Sequence, residues 1–359
     1  MVNSNEYLDS PAATYPRGIS VIACCHNAAR RLTPTLQHLA AQEVSEDIPW
    51  EVLVIDNASS DGTAELARSL WPADHRMPLR VIPESRLGLS YARAAGLAEA
   101  RYEYISFVDD DNWVCPKWIE TVVQILDPDS QVGACMGAVE AVFEAEAPSW
   151  FERYQHHFAA GNWGPAPKYT AFMEIWGAGL SLRQTAWQEL RSAGFSSCLI
   201  DRRGNQLSCG GDIEICAALT LLGWKLWYDP RLELQHFMPS GRLNWSYLRR
   251  LWRGHGQASM VLDWYLLAFS GNTTEFQERV TRGWARHLFR TAQKLVRSRS
   301  ALLGMKEGDH DQLLAEHLLG RVQFLMGGFL AYASVVRHVQ RLLLAGAGLA
   351  EQLSPANRS

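Results

Sequence analysis

The chain has 359 residues, 47% of them hydrophobic and 20% charged, with a formal net charge of -4. This length is enough to bury a full core and corresponds to one or two domains. The composition is that of an ordinary folded protein, and the slight negative charge argues against a generic polyanion binder, so we expect no nucleic-acid partner.

The cysteines and the N-terminal segment bear on the compartment. Seven cysteines are present without a CxxC pair, and this odd count favours reduced thiols and a cytoplasmic setting. Residues 1–16 lack a basic stretch followed by an apolar run, so they are predicted to be a flexible leader and not a signal peptide.

The first third of the chain alternates strand and helix patterns. The predicted strands are ISVIAC, EVLVID, LRVIP and YISFV, and the predicted helices between and after them cover residues 34–41, 62–70, 89–100 and 116–126. Such alternation predicts parallel βαβ units. The expected fold class is therefore α/β, with an open, mostly parallel, twisted sheet flanked by helices.

The next part, to residue 242, mixes regular and irregular patterns. A strand is predicted over residues 134–142, followed by a long loop over 149–170 of the kind that carries specificity. Regular structure then resumes at residues 174–182, with helices over 183–193 and 211–222 and a strand pair over 225–230 and 232–237. We expect the α/β domain to end near residue 242.

Residues 243–359 are helical, aromatic and basic in pattern. The longest uncharged stretch of the last segment, residues 322–336, is shorter than the roughly 20 residues that span a bilayer. This favours helices that lie in a membrane interface. The alternative is a helical subdomain that packs on the core or on a second subunit.

An acidic triplet, Asp109-Asp110-Asp111, follows the apolar strand YISFV directly. Ligands of open α/β sheets bind at the carboxyl ends of such strands. In an extended chain, Asp109 and Asp111 would point the same way and share a divalent ion, while Asp110 would face elsewhere. The alternative is a solvated acidic turn.

Three further positions are candidates for the same crevice. Asp56 ends the second strand, where a carboxylate can accept from a base N–H or a ribose hydroxyl, and Asn27 follows the first strand. Arg93 lies inside the helix that Gly88 precedes, so its guanidinium can point back at a diphosphate near the helix start. The alternatives are a capped turn without a ligand at Asp56 and a surface arginine at residue 93.

Two later segments place polar side chains at element ends. Asp212 and Glu214 follow two glycines at the mouth of a helix, where one of them can act as a general base. His236 ends a strand and can complete an oxygen-rich metal site with two carboxylates. The alternatives are a helix N-cap at Asp212 and a structural histidine at residue 236.

The order of these motifs along residues 17–242 resembles the family 2 glycosyltransferases with a GT-A fold. The resemblance rests on Asp56, Arg93, the DxD pattern of the triplet, the GAGL stretch at residues 177–180, the GGD stretch at 210–212, and His236. It implies a leader over 1–16, a GT-A catalytic domain over 17–242 and a helical C-terminal region over 243–359. That last region would contact a membrane surface, an acceptor or a second copy of the chain.

The resemblance also implies roles for individual residues. Donor nucleotide binding falls on Asn27, Asp56, Arg93, Asp109 and Asp110, and the metal, Mn²⁺ or Mg²⁺, falls on Asp109, Asp111 and His236. The catalytic base falls on Asp212. The acceptor side falls on Trp176, Gly177, Gly179 and Glu214, with Gly211 standing where the family usually has Glu.

The implied activity is inverting, metal-dependent transfer of a sugar from a nucleoside-diphosphate sugar, with UDP favoured, to a hydroxyl acceptor in polysaccharide or glycolipid biosynthesis. The expected setting is cytoplasmic, with peripheral contact at the inner membrane face and a homodimer as one assembly. One alternative is a non-catalytic nucleotide-sugar-binding subunit of a membrane-associated assembly. Another is a sugar nucleotidyltransferase, which should carry a glycine-rich loop that CHNAARRL lacks.

Overall fold

The computed structural model describes residues 15–199, 209–271, 273–302, 304 and 306–353. Residues 1–14, which make up most of the predicted leader, lie outside the described residues.

The described residues form one sheet of nine strands. The strands are β1 Ile19–Cys25, β2 Trp50–Asn57, β3 Leu79–Glu84, β4 Tyr104–Phe107, β5 Asn112–Val114, β6 Val132–Phe143, β7 Lys168–Tyr169, β8 Ser181–Arg183 and β9 Lys225–Met238. All four strands predicted in the first third of the chain are present, with bounds within a residue or two.

Twelve α-helices accompany the sheet in the described part of the chain. They are α1 Leu32–Ala40, α2 Thr63–Leu70, α3 Leu89–Glu99, α4 Trp118–Leu126, α5 Phe151–Tyr154, α6 Gln184–Ser192, α7 Gly211–Leu221, α8 Trp245–Phe269, α9 Thr273–Arg297, α10 Arg299–Leu302, α11 His310–Met326 and α12 Phe329–Leu353. Short 3-10 turns cover Gln155–Phe158, Phe172–Glu174 and Ser240–Arg242.

The strand order is β3-β2-β1-β4-β8-β6-β9-β5, with β7 beside β9. Strands β3, β2, β1 and β4 pair in parallel, and β6 pairs in parallel with β9. Strands β5, β7 and β8 run antiparallel to their neighbours. The predicted fold class is confirmed, because six of the nine strands share one direction and helices flank the sheet.

Strand β1 shows why this edge of the sheet forms a site. Its residues are buried except for the half-buried Cys24, as is typical of a central parallel strand covered on both faces. The register pairs Cys25 at its end with Asp56 at the end of β2. The polar residues that follow the parallel strands therefore gather at one edge.

The predicted strand pair near residue 230 is wrong, since β9 is a single strand through Asp229 and Pro230. The register against β6 changes there: Met136 lies opposite Tyr228, and Ala138 lies opposite Glu233. The extra residues of β9 form a bulge, which bends a strand without ending it. The sequence pattern did not distinguish this bulge from a turn.

The predicted loop over 149–170 is partly helical, because α5 and a 3-10 turn occupy its first half. Its aromatic residues form a second small core with the start of α8. Trp150, Phe151 and Phe158 are buried there against Trp245 and Leu248. The loop is thereby fixed beside the carboxyl edge of the sheet.

The C-terminal helices pack on the α/β part of the chain. Val261 and Tyr265 of α8 belong to the same buried core as Ile215 of α7. Helix α11 lies against α8, where Arg249 and Arg253 both pair with the buried carboxylate of Glu316. This arrangement corresponds to the alternative given for the C-terminal helices, a helical subdomain that packs on the core.

Within the described residues, no individual helix has the length and apolar character to cross a membrane. One bent pair, His310–Met326 with Phe329–Gly348, meets those two criteria jointly, at an angle of 97°.

Candidate active site

A cavity of about 680 Å³ opens at the carboxyl edge of the parallel strands. The strand ends, the loop that precedes β8 and helix α8 form its walls. The structure brings eight of the predicted site residues to this cavity: Arg93, Asp109, Asp110, Asp111, Trp176, Gly177, Asp212 and His236. We call it the central pocket.

The acidic triplet forms a turn between β4 and β5. The backbone N–H of Asn112 donates to the carbonyl of Asp109 at 3.0 Å, and the Asn112 side chain accepts from the Asp109 N–H at 3.2 Å. The prediction of an extended chain here was therefore wrong. A turn does not alternate side-chain direction, and all three aspartates line the central pocket.

Asp110 has a structural partner in Arg31, at the start of α1. The guanidinium donates to both carboxylate oxygens, at 2.7 and 2.9 Å. Burial raises the pKa of Asp110 to about 6, and the Arg31 hydrogen bonds oppose that rise. Strand alternation predicted that Asp110 faces away from its neighbours, but Asp110 lines the same pocket and is paired with Arg31.

Asp111 and His236 lie side by side because β5 pairs with β9, with Asn112 opposite His236. The Asp111 Oδ1 and His236 Nε2 atoms are 3.6 Å apart, and both residues are buried. The Nδ1–H of His236 donates to the carbonyl of Ala159 at 3.4 Å, which leaves Nε2 as an acceptor.

This pair of donors fits a divalent cation. Neighbouring ligands of an octahedral ion lie roughly 3 Å apart when each ligand is about 2.1 Å from the metal. A carboxylate and a neutral imidazole are ligands that Mn²⁺ accepts. Asp109 lies in the same turn and lines the same pocket, although it does not join a tight three-residue cluster with the other two among the described residues.

Arg242 is a pocket residue that the sequence analysis missed. Its Nη2 donates to Asp111 Oδ2 at 2.9 Å, and its Nη1 donates to His236 Nε2 at 3.2 Å. It lies in the 3-10 turn after β9, at the predicted end of the catalytic domain. The separation of 131 residues from Asp111 left no local signal for this contact.

Asp212 is the second residue of α7, and the N-cap position belongs to Gly210 in a left-handed conformation (φ 97°). Asp212 is therefore not the N-cap residue, so the N-cap alternative for Asp212 was wrong. Its carboxylate lies in the central pocket, where the N-terminus of α7 stabilises the negative charge.

Gly177 brings Asp212 and Arg93 together. A β-carbon at residue 177 would lie 2.7 Å from Asp212 Oδ2 and 2.8 Å from Arg93 Nη2. Both side chains therefore contact the backbone of residue 177, and any larger residue would push them apart. This packing explains the glycine of the GAGL stretch.

Arg93 is buried and is not the surface arginine of the alternative interpretation. Its guanidinium lies 5.5 Å from the ring centroid of Phe107, at the end of β4. The start of α3 is fixed by Asn57, whose side chain accepts from the Gly88 N–H at 2.8 Å and donates to the Arg86 carbonyl at 2.7 Å. Asn57 was not among the residues predicted from the sequence.

An aromatic cluster forms another wall of the pocket. The ring of His156 stacks on Trp163 at 4.9 Å and on Trp176 at 5.7 Å, and the two indoles are 5.3 Å apart. Trp176 was predicted from the segment before GAGL. Trp163 and His156 were not among the predicted site residues, although the aromatic content of the 149–170 loop could have indicated them.

Helix α8 supplies a wall that the sequence analysis did not assign to the site. Trp252, His255 and Ser259 line the pocket, next to His157 of the loop. Burial lowers the pKa of His157 to about 4 and that of His255 to about 3, so both imidazoles are neutral at pH 7. The pocket therefore runs from an acidic end to a neutral, aromatic end.

Two predicted acceptor-side residues lie elsewhere. Glu214 is fully buried and accepts from the backbone N–H groups of Cys198 and Leu199, so it fixes that turn to α7. This corrects the expectation that Glu214 faces the acceptor. Gly179 has a φ of +73°, and a β-carbon there would lie 2.6 Å from the ring of Trp118, so this glycine belongs to the core packing.

Two predicted donor-side residues lie beside the pocket and not among its lining residues. Asn27, at a φ of 48°, accepts from the Ser60 N–H at 2.9 Å and so joins two loops. Asp56 lies at the end of β2, and its buried Oδ1 has no hydrogen-bond partner within the described ranges. Because buried acceptors are normally paired, Asp56 has capacity for a donor from a ligand.

The site thus combines a mostly parallel sheet, a carboxylate turn at its carboxyl edge and a separate carboxylate at a helix N-terminus. Residues 20–177 match the family model described as Glycosyl transferase family 2. Over this segment the chain is similar to that family, which agrees with the resemblance that the motif order suggests.

Three curated relatives illustrate the similarity. "Putative glycosyltransferase EpsH" of Bacillus subtilis is 25% identical over 34% of this chain and 34% of its own length. "Succinoglycan biosynthesis protein ExoM" of Rhizobium meliloti is 25% identical over 67% of this chain and 75% of its own. "Glucosyl-dolichyl phosphate glucuronosyltransferase" of Haloferax volcanii is 21% identical over 68% and 77%. The matched segments span only 34% of the length of EpsH, 18% of that of "Glycosyltransferase GlyA" and 38% of that of "Glycosyltransferase GlyG", both of Streptococcus pneumoniae.

Proposed function

We propose that this protein is an inverting glycosyltransferase that moves a sugar from a nucleoside-diphosphate sugar to a hydroxyl acceptor. The observation that carries the proposal is the position of Asp212, in one pocket with the Asp109–Asp111 turn. A base and a cation site in one cavity suit the attack of a hydroxyl and the departure of a diphosphate. The family match over residues 20–177 supports the same activity.

Asp212 is the proposed general base. Its carboxylate would accept the proton of the acceptor hydroxyl as that oxygen attacks the anomeric carbon. Attack from the face opposite the diphosphate inverts the configuration at that carbon. Arg93, held beside Asp212 by the backbone of Gly177, would fix the orientation of the carboxylate and add positive charge near the diphosphate.

The acidic end of the pocket is the proposed donor side. The free acceptor of Asp56 suits a base N–H, with Asn27 holding the adjacent loop. Asp111 and His236, with Asp109, would hold Mn²⁺ or Mg²⁺. When bound, that ion supplies positive charge to the leaving diphosphate.

The aromatic end is the proposed acceptor side. Sugar rings present C–H faces that pack on indole and imidazole rings, and Trp176, Trp163 and His156 offer such a surface. Helix α8 closes this end. The names of two relatives refer to succinoglycan biosynthesis and to a dolichyl phosphate glucoside, which supports a glycan or a lipid-linked sugar as the acceptor class.

We also propose peripheral contact with the inner face of a membrane. Met326, Phe329 and Leu330, at the turn between α11 and α12, are 72%, 58% and 78% exposed. Apolar side chains concentrated at one helical turn suit insertion into a lipid interface. Sedimentation with anionic liposomes should be lost when all three become serine. A concentration-dependent mass in light scattering would instead assign the turn to a homodimer.

The alternatives make different predictions. A non-catalytic subunit would bind a sugar nucleotide without releasing the nucleoside diphosphate. A sugar nucleotidyltransferase would release pyrophosphate from a nucleoside triphosphate. Product analysis by anion-exchange chromatography separates the three activities, and the carboxylate of Asp212 in the pocket favours transfer.

A thermal-shift panel of nucleoside-diphosphate sugars with and without Mn²⁺ tests the donor directly. We expect UDP-sugars to raise the melting temperature only when Mn²⁺ is present, and slow UDP-sugar hydrolysis to stop in EDTA or in Asp111→Ala. Hydrolysis that continues in EDTA would contradict the metal assignment. A shift with another nucleotide alone would change the donor and leave the activity class intact.

A further inference from the structure

Arg242 lies across the two side chains that would hold the metal. Its guanidinium donates to Asp111 Oδ2 at 2.9 Å and to His236 Nε2 at 3.2 Å. Asp111 and His236 are nearly fully buried, and the side chain of Arg242 is only 17% exposed. A positive charge is thus built into the position where a cation would meet both donors.

These hydrogen bonds use the lone pairs that a metal ion needs. The Nε2 atom of His236 has one lone pair, and it accepts from Arg242 while Nδ1–H donates to Ala159. A lone pair cannot accept a hydrogen bond and coordinate an ion simultaneously. A guanidinium beside a divalent cation is also repelled in this buried environment. Metal binding therefore requires that Arg242 leave His236.

The local structure permits such a movement. Arg242 lies in the 3-10 turn Ser240–Arg242, between the end of β9 and the N-cap residue of α8, Asn244. Ser240 and Gly241 are exposed, so the turn is not part of the core. Arg242 already lines the central pocket, so its side chain can leave His236 by rotation about its own bonds, without a change in the strand that carries His236.

We propose that Arg242 is an internal competitor of the divalent cation: it holds Asp111 and His236 together and lowers their metal affinity until it is displaced. This inference rests on the proposed function for the identity of the cation. It assigns to Arg242 a role in setting the metal affinity of the site, which goes beyond the donor and acceptor contacts.

Mn²⁺ binding to the full-length protein, followed by the loss of the aqueous Mn²⁺ EPR signal without any nucleotide, tests the proposal. Arg242→Met should bind Mn²⁺ at least about tenfold more tightly than wild type. The free energy of one charge-assisted hydrogen bond corresponds to about that change in affinity. The Mn²⁺ affinity of Arg242→Lys should lie between those of wild type and Arg242→Met. Lysine keeps the positive charge but lacks the planar guanidinium that donates to both side chains. Adding Asp111→Asn to Arg242→Met should remove the gain.

The control is Arg249→Met, since Arg249 pairs with the buried Glu316 on another face of α8 and should leave Mn²⁺ affinity unchanged. Melting curves with and without Mn²⁺ establish that each variant is folded, and Mn²⁺ should raise the melting temperature of Arg242→Met more than that of wild type. Equal or weaker binding by folded Arg242→Met would overturn the proposal. If wild type and variant both fail to bind Mn²⁺ but still bind a sugar nucleotide, the metal role and the competition fall while the donor assignment stands.

Discussion

The carboxylate of Asp212 and the backbone of Gly177 are in such close contact that residue 177 has no room for a side chain. A β-carbon there would meet Asp212 Oδ2 at 2.7 Å, closer than non-bonded atoms approach. The two residues come from different elements, the segment before β8 and the start of α7. Their contact fixes the position of the proposed base relative to the pocket floor.

Gly177→Ala should therefore lower kcat strongly without unfolding the protein. Displacing Asp212 and Arg93 by a few tenths of an ångström to an ångström should cost up to about a hundredfold in rate, with donor affinity changed much less. Steady-state kinetics and donor titration measure the two effects. Gly348→Ala is a matched control, because nothing lies near a β-carbon at that position. Unchanged kcat in Gly177→Ala would show that the contact does not position the base.

The Arg31–Asp110 pair should contribute to stability. Arg31→Met leaves the buried carboxylate of Asp110 without its bidentate partner, and we expect a loss of about 2 kcal/mol in the free energy of unfolding, since Arg31 is partly exposed. Urea denaturation measures it. Arg31→Met with Asp110→Asn should recover part of the loss, because the amide carries no charge. Equal stability of Arg31→Met and wild type would show that the pair contributes nothing.

Trp163→Ala should weaken the acceptor and spare the donor. Loss of one aromatic face is worth roughly 1 kcal/mol, so the acceptor KM should rise about fivefold while the donor KM stays constant. Tyr169→Ala, at an exposed position in the same segment, serves as the control. If the donor KM rises instead, the aromatic cluster belongs to the donor side.

His338 should make the protein sensitive to acid. Burial lowers its pKa from the ordinary 6.5 to about 4, and its ring packs beside Phe195 with Arg341 nearby. A depressed folded pKa means that the unfolded chain binds more protons between these values. The stabilising effect is therefore complete above pH 6.5 and is lost as pH falls toward 4.

His338→Phe should remove part of that acid sensitivity, on the order of 2 kcal/mol at pH 4, with little change at pH 7. Unfolding curves at both pH values for the variant and wild type provide the measurement. A parallel loss of stability with acid in the two proteins would assign the sensitivity to other histidines, such as His157 and His255.

What the sequence predicted was local, and what it missed joins distant segments. The strand pattern placed the acidic triplet correctly after β4, although not its turn conformation, and the glycines placed Asp212 at the start of α7. Arg31 and Arg242 contact the triplet across long stretches of chain, so no spacing indicated them. The position of Trp163 in the pocket depends on the path of the 149–170 loop, which the sequence pattern does not define.

The assignment of Glu214 shows the limit most clearly. Residues two apart on an α-helix point about 200° apart, so Asp212 and Glu214 cannot both face the pocket. The sequence shows both carboxylates but not the orientation of α7, so it does not decide which of the two faces the pocket. Packing of Glu214 against Tyr265 and the turn at Cys198 determines that orientation and leaves Asp212 in the pocket.

Asp212→Asn tests the central claim most directly. Its transfer rate and its affinity for the sugar nucleotide found by thermal shift should be measured on the same preparation. We expect transfer to fall by at least about a hundredfold while donor affinity stays within about twofold of wild type, because an amide cannot take the acceptor proton. Transfer at the wild-type rate, or an equal loss of donor affinity and rate, would contradict the assignment of Asp212 as the base.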